Sequence, residues 1–373
     1  MRAVLFILKL GLKILAVPVV LALTLFTWLC FWLLYVSSFI FGLVSTVVAL
    51  LGIAVLVTYS PQNGVILLVI AFLVSPLGLP MAAAWLVGGV VFAASCASVL
   101  AVALICVFLF ANGVPAMKEI GFVKFITGEM WKPNNDIYGI LPMIVGSIYV
   151  TAGAIIVGVP IGILTSVFMA MYCPKKIYRP LKAATELLAG IPSVVYGFFG
   201  LVVLVPAIRS VGRILWQMGL IKSPGNGNSM LTASLLLAMM ILPTIIGVTE
   251  SAIRAVPEHY YEGALALGAT HERSIFRVVI PAAKSGVIAG IVLGIGRAIG
   301  ETMAVIMVAG NQARMPAGIL KGVRTLTANI VIEMGYATDL HREALIATGV
   351  VLFVFILIIN FSVALLNRRG GRE

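Results

Sequence analysis

The stretch that decides the fold is residues 86–111, LVGGVVFAASCASVLAVALICVFLFA, which contain no charged side chain. They belong to a longer run, because no Asp, Glu, Lys, Arg or His occurs between Lys13 and Lys118. A helix of about 20 apolar residues crosses the hydrocarbon core of a bilayer. A water-facing domain surface needs charged residues, which this run does not supply. The stretch therefore predicts a membrane-spanning helix.

The composition of the whole chain agrees with this prediction. Of 373 residues, 62% are hydrophobic and 10% are charged, whereas soluble domains have about 45–50% and about 25%. A soluble enzyme is excluded. The net charge of +12 does not indicate nucleic-acid binding, because the Lys and Arg residues lie in short clusters between apolar segments. Such clusters are typical of loops at the anionic cytoplasmic leaflet of a lipid membrane.

The C-terminal three quarters of the chain predict an all-α, polytopic transmembrane helix bundle with six spans. The loop from Cys173 to Glu186 and the C-terminal tail are rich in Lys and Arg, so the positive-inside rule places both in the cytoplasm. The loop from Asn112 to Gly139 has balanced charges and is placed outside. The predicted spans are Leu86 to Ala111, Leu141 to Met171, Leu187 to Ile208, Met230 to Val248, Val287 to Ala309 and Leu345 to Leu366.

Residues 1–88 form a separate hydrophobic block, which we distinguish from a main domain at residues 89–373. The run from Ile14 to Tyr59 is long enough for two passes. The shorter run from Gly64 to Ala84 is broken by Pro76 and Pro80. Because the basic N-terminus is placed inside, an even number of crossings is expected. The Pro-broken segment is therefore expected to be re-entrant or interfacial.

The most informative polar stretch is the loop at about residues 251–285. Pro257 and Glu258 suit the first turn of a helix, Gly268 suits a left-handed C-terminal stop, and Thr270 suits the cap of a second helix ending near Pro281. The loop therefore predicts a helix, a glycine turn and a helix at the cytoplasmic surface. Such a hairpin is either a connector or a docking element for a partner protein.

The residues of this hairpin resemble a known motif. EGALALG at residues 262–268, followed by VVIP at residues 278–281, resembles the EAA loop of ABC importer permeases. The match departs from the pattern at Gly263 and at the last two apolar positions. The resemblance implies that Glu262, Gly263, Ala264 and Gly268 contact a separate ATPase subunit, which binds the ATP.

From about Ser95 onward the chain resembles the PstC family, the phosphate permeases of the Pst system. The resemblance rests on ELLAGIPS at 186–193, VVYG at 194–197 and GRAIGETMA at 296–304. It implies a six-span type I importer fold, multi-pass in the bacterial cytoplasmic membrane. It also implies four partners: a second, PstA-like permease, a PstB-like ATPase dimer, an extracytoplasmic phosphate-binding protein, and phosphate itself. Residues 1–88 depart from the family and look like a small membrane protein fused in front.

A charged residue in an apolar span is the candidate substrate contact. On a continuous helix Gly290, Gly294, Arg297, Glu301 and Ala304 would share one stripe. Two interpretations are open. Arg297 and Glu301 either neutralise each other, or the guanidinium meets an oxyanion in the translocation path.

The resembling segments add Thr302 and Ser193 to the candidate path. Ile191, Pro192 and Ser193 are expected to break the start of a span, which is either a plain kink or an anion site.

The absence of other motifs restricts the function further. No P-loop pattern occurs, and the dipeptide Gly-Lys is missing from the sequence. No nucleophile, zinc or dinucleotide pattern stands out, so no metal site and no cofactor of its own are expected. The chain is expected to be a permease subunit and not an enzyme. Two alternatives remain: a permease for another oxyanion, or a passive anion channel.

Overall fold

The computed structural model describes residues 42–57, 61–75 and 79–370, and four isolated positions upstream of residue 42. The chain divides into two compact units, Met1–Val107 and Phe108–Glu373. Helix α3 (Leu79–Ile120) contributes to both. The described residues are predominantly α-helical, which confirms the predicted all-α class.

The first unit contains two short apolar helices before α3. Helix α1 is Gly42–Val57 and α2 is Pro61–Val74. A Cβ on Gly64 would lie 2.5 Å from the Cβ of Leu56, so the two helices pack closely. Most of the two passes predicted within Ile14 to Tyr59 lies outside the described residues. The division of the chain at residue 88 stays a prediction.

The second unit is a helical bundle with a small two-stranded antiparallel sheet. After α3 come α4 (Phe122–Thr127), β1 (Trp131–Lys132), β2 (Ile137–Tyr138), α5 (Leu141–Val167), α6 (Lys175–Gly190), α7 (Ser193–Phe199), α8 (Val205–Gln217) and α9 (Met230–Arg254). The remaining helices are α10 (Glu258–Ala266), α11 (His271–Ser274), α12 (Ile280–Ala282), α13 (Lys284–Gly300), α14 (Met303–Val308), α15 (Leu326–Glu333) and α16 (Asp339–Gly370). Single π-helical turns follow α5, α7 and α11.

The described helices agree with the six predicted spans, with two corrections at their ends. Five are long and apolar enough to cross a membrane, and a sixth is a pair, His271–Ala282 and Lys284–Gly300, bent by 71°. The third span begins at Ser193 and not at Leu187, because Ile191 and Pro192 are extended and separate it from α6. The fifth predicted span does not reach Ala309, because α13 ends at Gly300.

Helix α9 lies at the centre of the bundle, and glycines of α5 let it approach. A Cβ on Gly153 would lie 2.5 Å from the Ser234 hydroxyl, and Cβ atoms on Gly158 and Gly162 would clash with Ile241 and Ile245. All three glycines face α9. Lipid supplies no hydrophobic drive between helices, so close van der Waals packing at small residues holds such a bundle together. This packing buries the apolar face of α9.

We predict that Gly286→Ala destabilises the bundle. A Cβ at Gly286 in α13 would lie 2.2 Å from the Cβ of Ala252 in α9, and overpacking of this kind costs about 1–3 kcal/mol. Gly296→Ala, on the same helix, is the matched control, because nothing lies within 4 Å of its Cβ position. Thermal unfolding of the purified protein in detergent is the measurement. Equal melting temperatures for the two variants would contradict the packing described.

Candidate anion path and ATPase-docking hairpin

The candidate anion contact lies near the end of α13, where that helix packs on α9. A Cβ on Gly290 would lie 2.8 Å from the Thr249 hydroxyl, and a Cβ on Gly294 would lie 2.9 Å from the Ile245 side chain. These two glycines of the predicted stripe therefore face α9 and let it approach closely. Arg297 follows in the last turn of α13 and is half-buried.

The depth of Arg297 follows from its contact with α9. Its Nη1 donates a long hydrogen bond of 3.4 Å to the Thr244 hydroxyl. Helix α9 has 25 residues, and Thr244 lies roughly 21 Å from its first residue at a rise of about 1.5 Å per residue. The guanidinium therefore lies beside the middle of α9. A cation at that depth is costly and marks a functional position by default.

The predicted stripe is wrong beyond Arg297. Helix α13 ends at Gly300, and Glu301 is extended with φ −69° and ψ 134°. The Glu301 carboxylate accepts a hydrogen bond of 3.1 Å from the Ala304 amide and so stabilises the start of α14. The Glu301 carbonyl accepts one of 3.0 Å from the Thr327 hydroxyl. Glu301 therefore serves the helix break and not the stripe.

Arg297 and Glu301 do not neutralise each other in the structure. Among the described residues no ion pair joins Arg297 to Glu301 or to another acid. The sequence contained a signal for the break, since Gly300 is followed by Thr302 in the N-cap position of α14. Apolar residues at helical spacing continue on both sides of the break, so the sequence pattern predicted one continuous helix.

Ser193 and Thr302 lie at helix breaks on two elements that pack together. Ser193 is the first residue of α7, and Thr302 directly precedes α14. Helix α7 packs on α14, because a Cβ on Gly197 would lie 3.0 Å from the Cα of Ala304. Helix α13 leads directly into α14 through Glu301 and Thr302. The structure thus brings α7, α13 and α14 to one region, although neither Ser193 nor Thr302 is hydrogen-bonded to Arg297.

The cytoplasmic hairpin has the predicted helix, glycine turn and helix. Gly268 adopts φ +82°, and the Ala269 amide donates to the Ala264 carbonyl at 3.1 Å, which closes the end of α10. The Thr270 hydroxyl caps α11 by accepting from the Arg273 amide. The second arm is less regular than predicted, because a π turn joins α11 to α12.

The tip of the hairpin is exposed. Glu262, Gly263 and Gly268 are exposed, Ala264 is half-buried, and Leu267 beside them is 91% exposed. This surface of the hairpin is therefore accessible to a partner protein.

Two contacts that the sequence did not reveal hold this hairpin in place. The Tyr261 hydroxyl and the His271 Nδ1 are hydrogen-bonded at 2.5 Å. The Tyr172 ring at the end of α5 packs edge-on against His271, with ring centroids 4.8 Å apart. These pairs are far apart in sequence or lie across a turn, so no periodic pattern shows them.

A second polar cluster lies at the opposite end of the bundle, around the buried Glu333. Its carboxylate accepts from Arg324 at 2.6 Å and from the Trp131 indole at 2.8 Å, and it contacts the His341 ring at 2.9 Å. Burial, followed by the hydrogen bond to Asp136, raises the pKa of the neighbouring Tyr138, which keeps its hydroxyl neutral. His341 is thereby held against Glu333.

No group of three or more His, Cys, Asp or Glu side chains is placed to hold a metal ion in residues 42–57, 61–75 and 79–370.

Comparison with known proteins decides the family. Residues 158–371 match the model of the binding-protein-dependent transport system inner membrane component. The chain belongs to this family. The phosphate transport system permease protein PstC of Mesorhizobium japonicum is 38% identical over 68% of this chain and 81% of its own. The probable ABC transporter permease protein YqgH of Bacillus subtilis is also 38% identical, over 69% and 83% respectively.

Two further matches are recorded. An inward-facing structure of the MetNI methionine ABC transporter aligns at 19% identity and a TM-score of 0.49, covering 65% of this chain and 99% of that chain. Residues 38–92 match a separate family of unknown function, DUF5699.

Family membership confirms several predictions at once. The chain is a multi-pass inner-membrane permease subunit and not an enzyme, and ATP hydrolysis belongs to separate ATPase subunits. A permease of this family works with an ATPase and with a substrate-binding protein. The roles of Arg297, Glu301, Thr302 and Ser193, and those of Glu262, Gly263, Ala264 and Gly268, stay predictions.

We predict that Gly268→Ala uncouples the permease from its ATPase. The left-handed conformation costs a residue with a Cβ about 1–2 kcal/mol, so the hairpin tip rearranges. Gly219→Ala is the matched control, because Gly219 also has a positive φ of +74° and open surroundings. Gly219 follows the C-terminal end of α8, on the side of the membrane opposite the hairpin. Phosphate uptake and ATP hydrolysis by the reconstituted complex are the measurements. Normal coupled uptake by the Gly268 variant would contradict the docking role.

Proposed function

We propose that this chain is the PstC-type permease subunit of an ATP-driven phosphate importer. The observation that supports this function is the mid-membrane Arg297, whose guanidinium forms no ion pair among the described residues and makes one long hydrogen bond. A guanidinium offers a planar fork of donors that matches phosphate oxygens. The 38% identity to a PstC protein supports the same substrate.

In the proposed complex, a partner protein binds at each end of the bundle. A PstB-like ATPase dimer docks on the hairpin at residues 262–268, binds the ATP and leaves this chain without a cofactor. A PstA-like permease completes the path, and an extracytoplasmic phosphate-binding protein delivers the anion. The exposed hairpin tip around Leu267 supports the ATPase contact.

In the proposed transport mechanism, the Arg297 region is exposed alternately to the two sides of the membrane. Closure of the ATPase dimer displaces the hairpin, and the hairpin is connected to α9 through only three residues, Ala255 to Pro257. Helices α9 and α13 are packed through Gly290 and Gly294, so they move as a unit and carry Arg297 with them. A ligand shifts such an equilibrium only by its differential affinity for the two states.

The alternatives differ in testable ways. A passive anion channel also has a use for Arg297, but it has none for an ATPase-docking hairpin. A permease for another oxyanion shares the whole arrangement and differs only in which anion competes for uptake. Competition by sulfate and molybdate in the uptake assay separates it from a phosphate permease.

We predict that Arg297→Gln abolishes phosphate uptake and leaves folding and ATPase docking intact. The substitution orphans no buried acid, because Glu301 is bonded to the Ala304 amide, so the usual penalty of a broken ion pair is absent. Arg297→Lys is expected to recover little, since a point charge does not reproduce the two-pronged contact. Uptake of labelled phosphate by vesicles that contain the complete complex is the measurement.

The control for this prediction is Arg213→Gln, which removes an exposed arginine of α8. It is expected to transport normally. Glu301→Gln is expected to weaken uptake less than Arg297→Gln, because the amide oxygen still accepts from Ala304. Wild-type uptake by the Arg297→Gln variant would remove the anion-path hypothesis.

A further inference from the structure

A buried carboxylate lies at the cytoplasmic end of the bundle, outside the anion path. Glu250 in α9 is 1% exposed. Its carboxylate accepts from the Lys182 ammonium at 2.7 Å, from the Tyr178 hydroxyl at 2.9 Å, and from Arg254. The Arg254 guanidinium also donates to the Met169 carbonyl at 2.8 Å and lies over the Tyr178 ring, 4.3 Å from its centroid. We call Glu250, Lys182, Tyr178 and Arg254 the cytoplasmic clamp.

The clamp joins three elements. Lys182 and Tyr178 belong to α6, Glu250 and Arg254 to α9, and Met169 to the π turn that follows α5. The hydrogen bond to Glu250 raises the pKa of Lys182, although burial opposes it, so the ammonium is charged at neutral pH. Four residues of the chain thus hold three helix ends together.

Helix α6 depends on the clamp because it has little else to hold it. None of its residues is buried, and Leu187 is 73% exposed. Its C-terminal end leads through Ile191 and Pro192 into α7, and the Tyr196 hydroxyl of α7 donates to the Leu188 carbonyl of α6 at 2.9 Å. Movement of α6 is therefore passed directly to α7, the helix that begins with Ser193 and packs on α14.

The position of the clamp in the chain places it next to the coupling hairpin. Arg254 is the last residue of α9, and α10 begins four residues later at Glu258. The clamp therefore lies between α10 and the middle of α9. Among the described residues, the ion pair between Glu250 and Lys182 joins this end of α9 to α6.

Stability alone is a weak reason for such a cluster. Burying ions costs desolvation energy, and apolar residues of similar size are often as stabilising or more so. A directional ionic contact does what apolar packing does not, because it fixes the register of α6 on α9 while both helices move.

We propose that the cytoplasmic clamp transmits movement of the coupling hairpin to α6 and α7, with Lys182 and Glu250 as positioning residues for transport. This inference rests on the proposed function, because it assigns the clamp a part in coupling ATP hydrolysis to phosphate movement. The path runs from α10 to α9, through Glu250 and Lys182 to α6, and then across the Pro192 break to α7.

The test is Lys182→Met in the complete reconstituted complex. This substitution keeps the length of the side chain and leaves Glu250 bonded to Arg254 and Tyr178, so no buried carboxylate is orphaned. The phosphate moved per ATP hydrolysed is expected to fall by about tenfold, within the usual range of coupling between sites. ATP hydrolysis is expected to continue and to lose its dependence on the binding protein.

Two variants accompany it. Lys176→Met removes a fully accessible lysine of the same helix and is expected to transport normally. Lys182→Arg preserves a cation within reach of Glu250 and is expected to restore most of the coupling.

Two outcomes overturn the proposal. Wild-type coupling in Lys182→Met would show that the clamp transmits nothing. Uptake and ATP hydrolysis that fall in proportion to the amount of assembled complex would show a structural role only. A wild-type complex that moves no phosphate would count against the proposed substrate instead. The dependence of ATP hydrolysis on the binding protein, compared between Lys182→Met and Lys176→Met, would then still decide the clamp.

Discussion

The packing of α9 between α5 and α13 is the interaction on which the other features of the permease depend. It rests on glycines that admit the neighbouring helix, Gly153, Gly158 and Gly162 on α5 and Gly290 and Gly294 on α13. In lipid this close contact replaces the hydrophobic drive that holds soluble bundles together. Because α13 is held along this length, Arg297 is fixed opposite Thr244 at mid-depth. Because α9 continues almost directly into α10, the same helix is also the support of the coupling hairpin.

The two helix breaks present the same physical problem. At Ile191 and Pro192, and again at Glu301 and Thr302, the backbone leaves the helix and its polar groups need other partners. The Tyr196 hydroxyl satisfies the Leu188 carbonyl, and the Glu301 carboxylate satisfies the Ala304 amide. Irregular backbone at membrane depth is tolerated only inside protein or along a cavity, so both breaks are consistent with a path that runs beside α7 and α14.

The sequence predicted what depends on local pattern and missed what depends on distant contacts. The spans, the Gly268 turn, the Thr270 cap and the close approach at Gly290 follow from composition, capping and spacing, and the structure has them. The continuous stripe through Glu301 was wrong, because an apolar period continues on both sides of a break and hides it. Glu250, His271 and Glu333 have partners on other segments of the chain. The spacing of residues within one segment does not predict such contacts.

The charged groups of the bundle divide by depth, and this division bears on how an anion is bound. Toward the cytoplasm Glu250 is satisfied by Lys182, Arg254 and Tyr178, and at the far end Glu333 is satisfied by Arg324, His341 and Trp131. In both clusters the carboxylate is paired with cations of the chain, and these contacts hold the helices in place. Arg297 differs, since among the described residues no carboxylate meets it. A partly buried guanidinium without a protein counter-ion is strongly stabilised by a bound oxyanion. The anion supplies the negative charge that no carboxylate of the described residues supplies. In the proposed function, this unpaired guanidinium gives the middle of the bundle its preference for anions, while the paired clusters at its ends hold the helices around it.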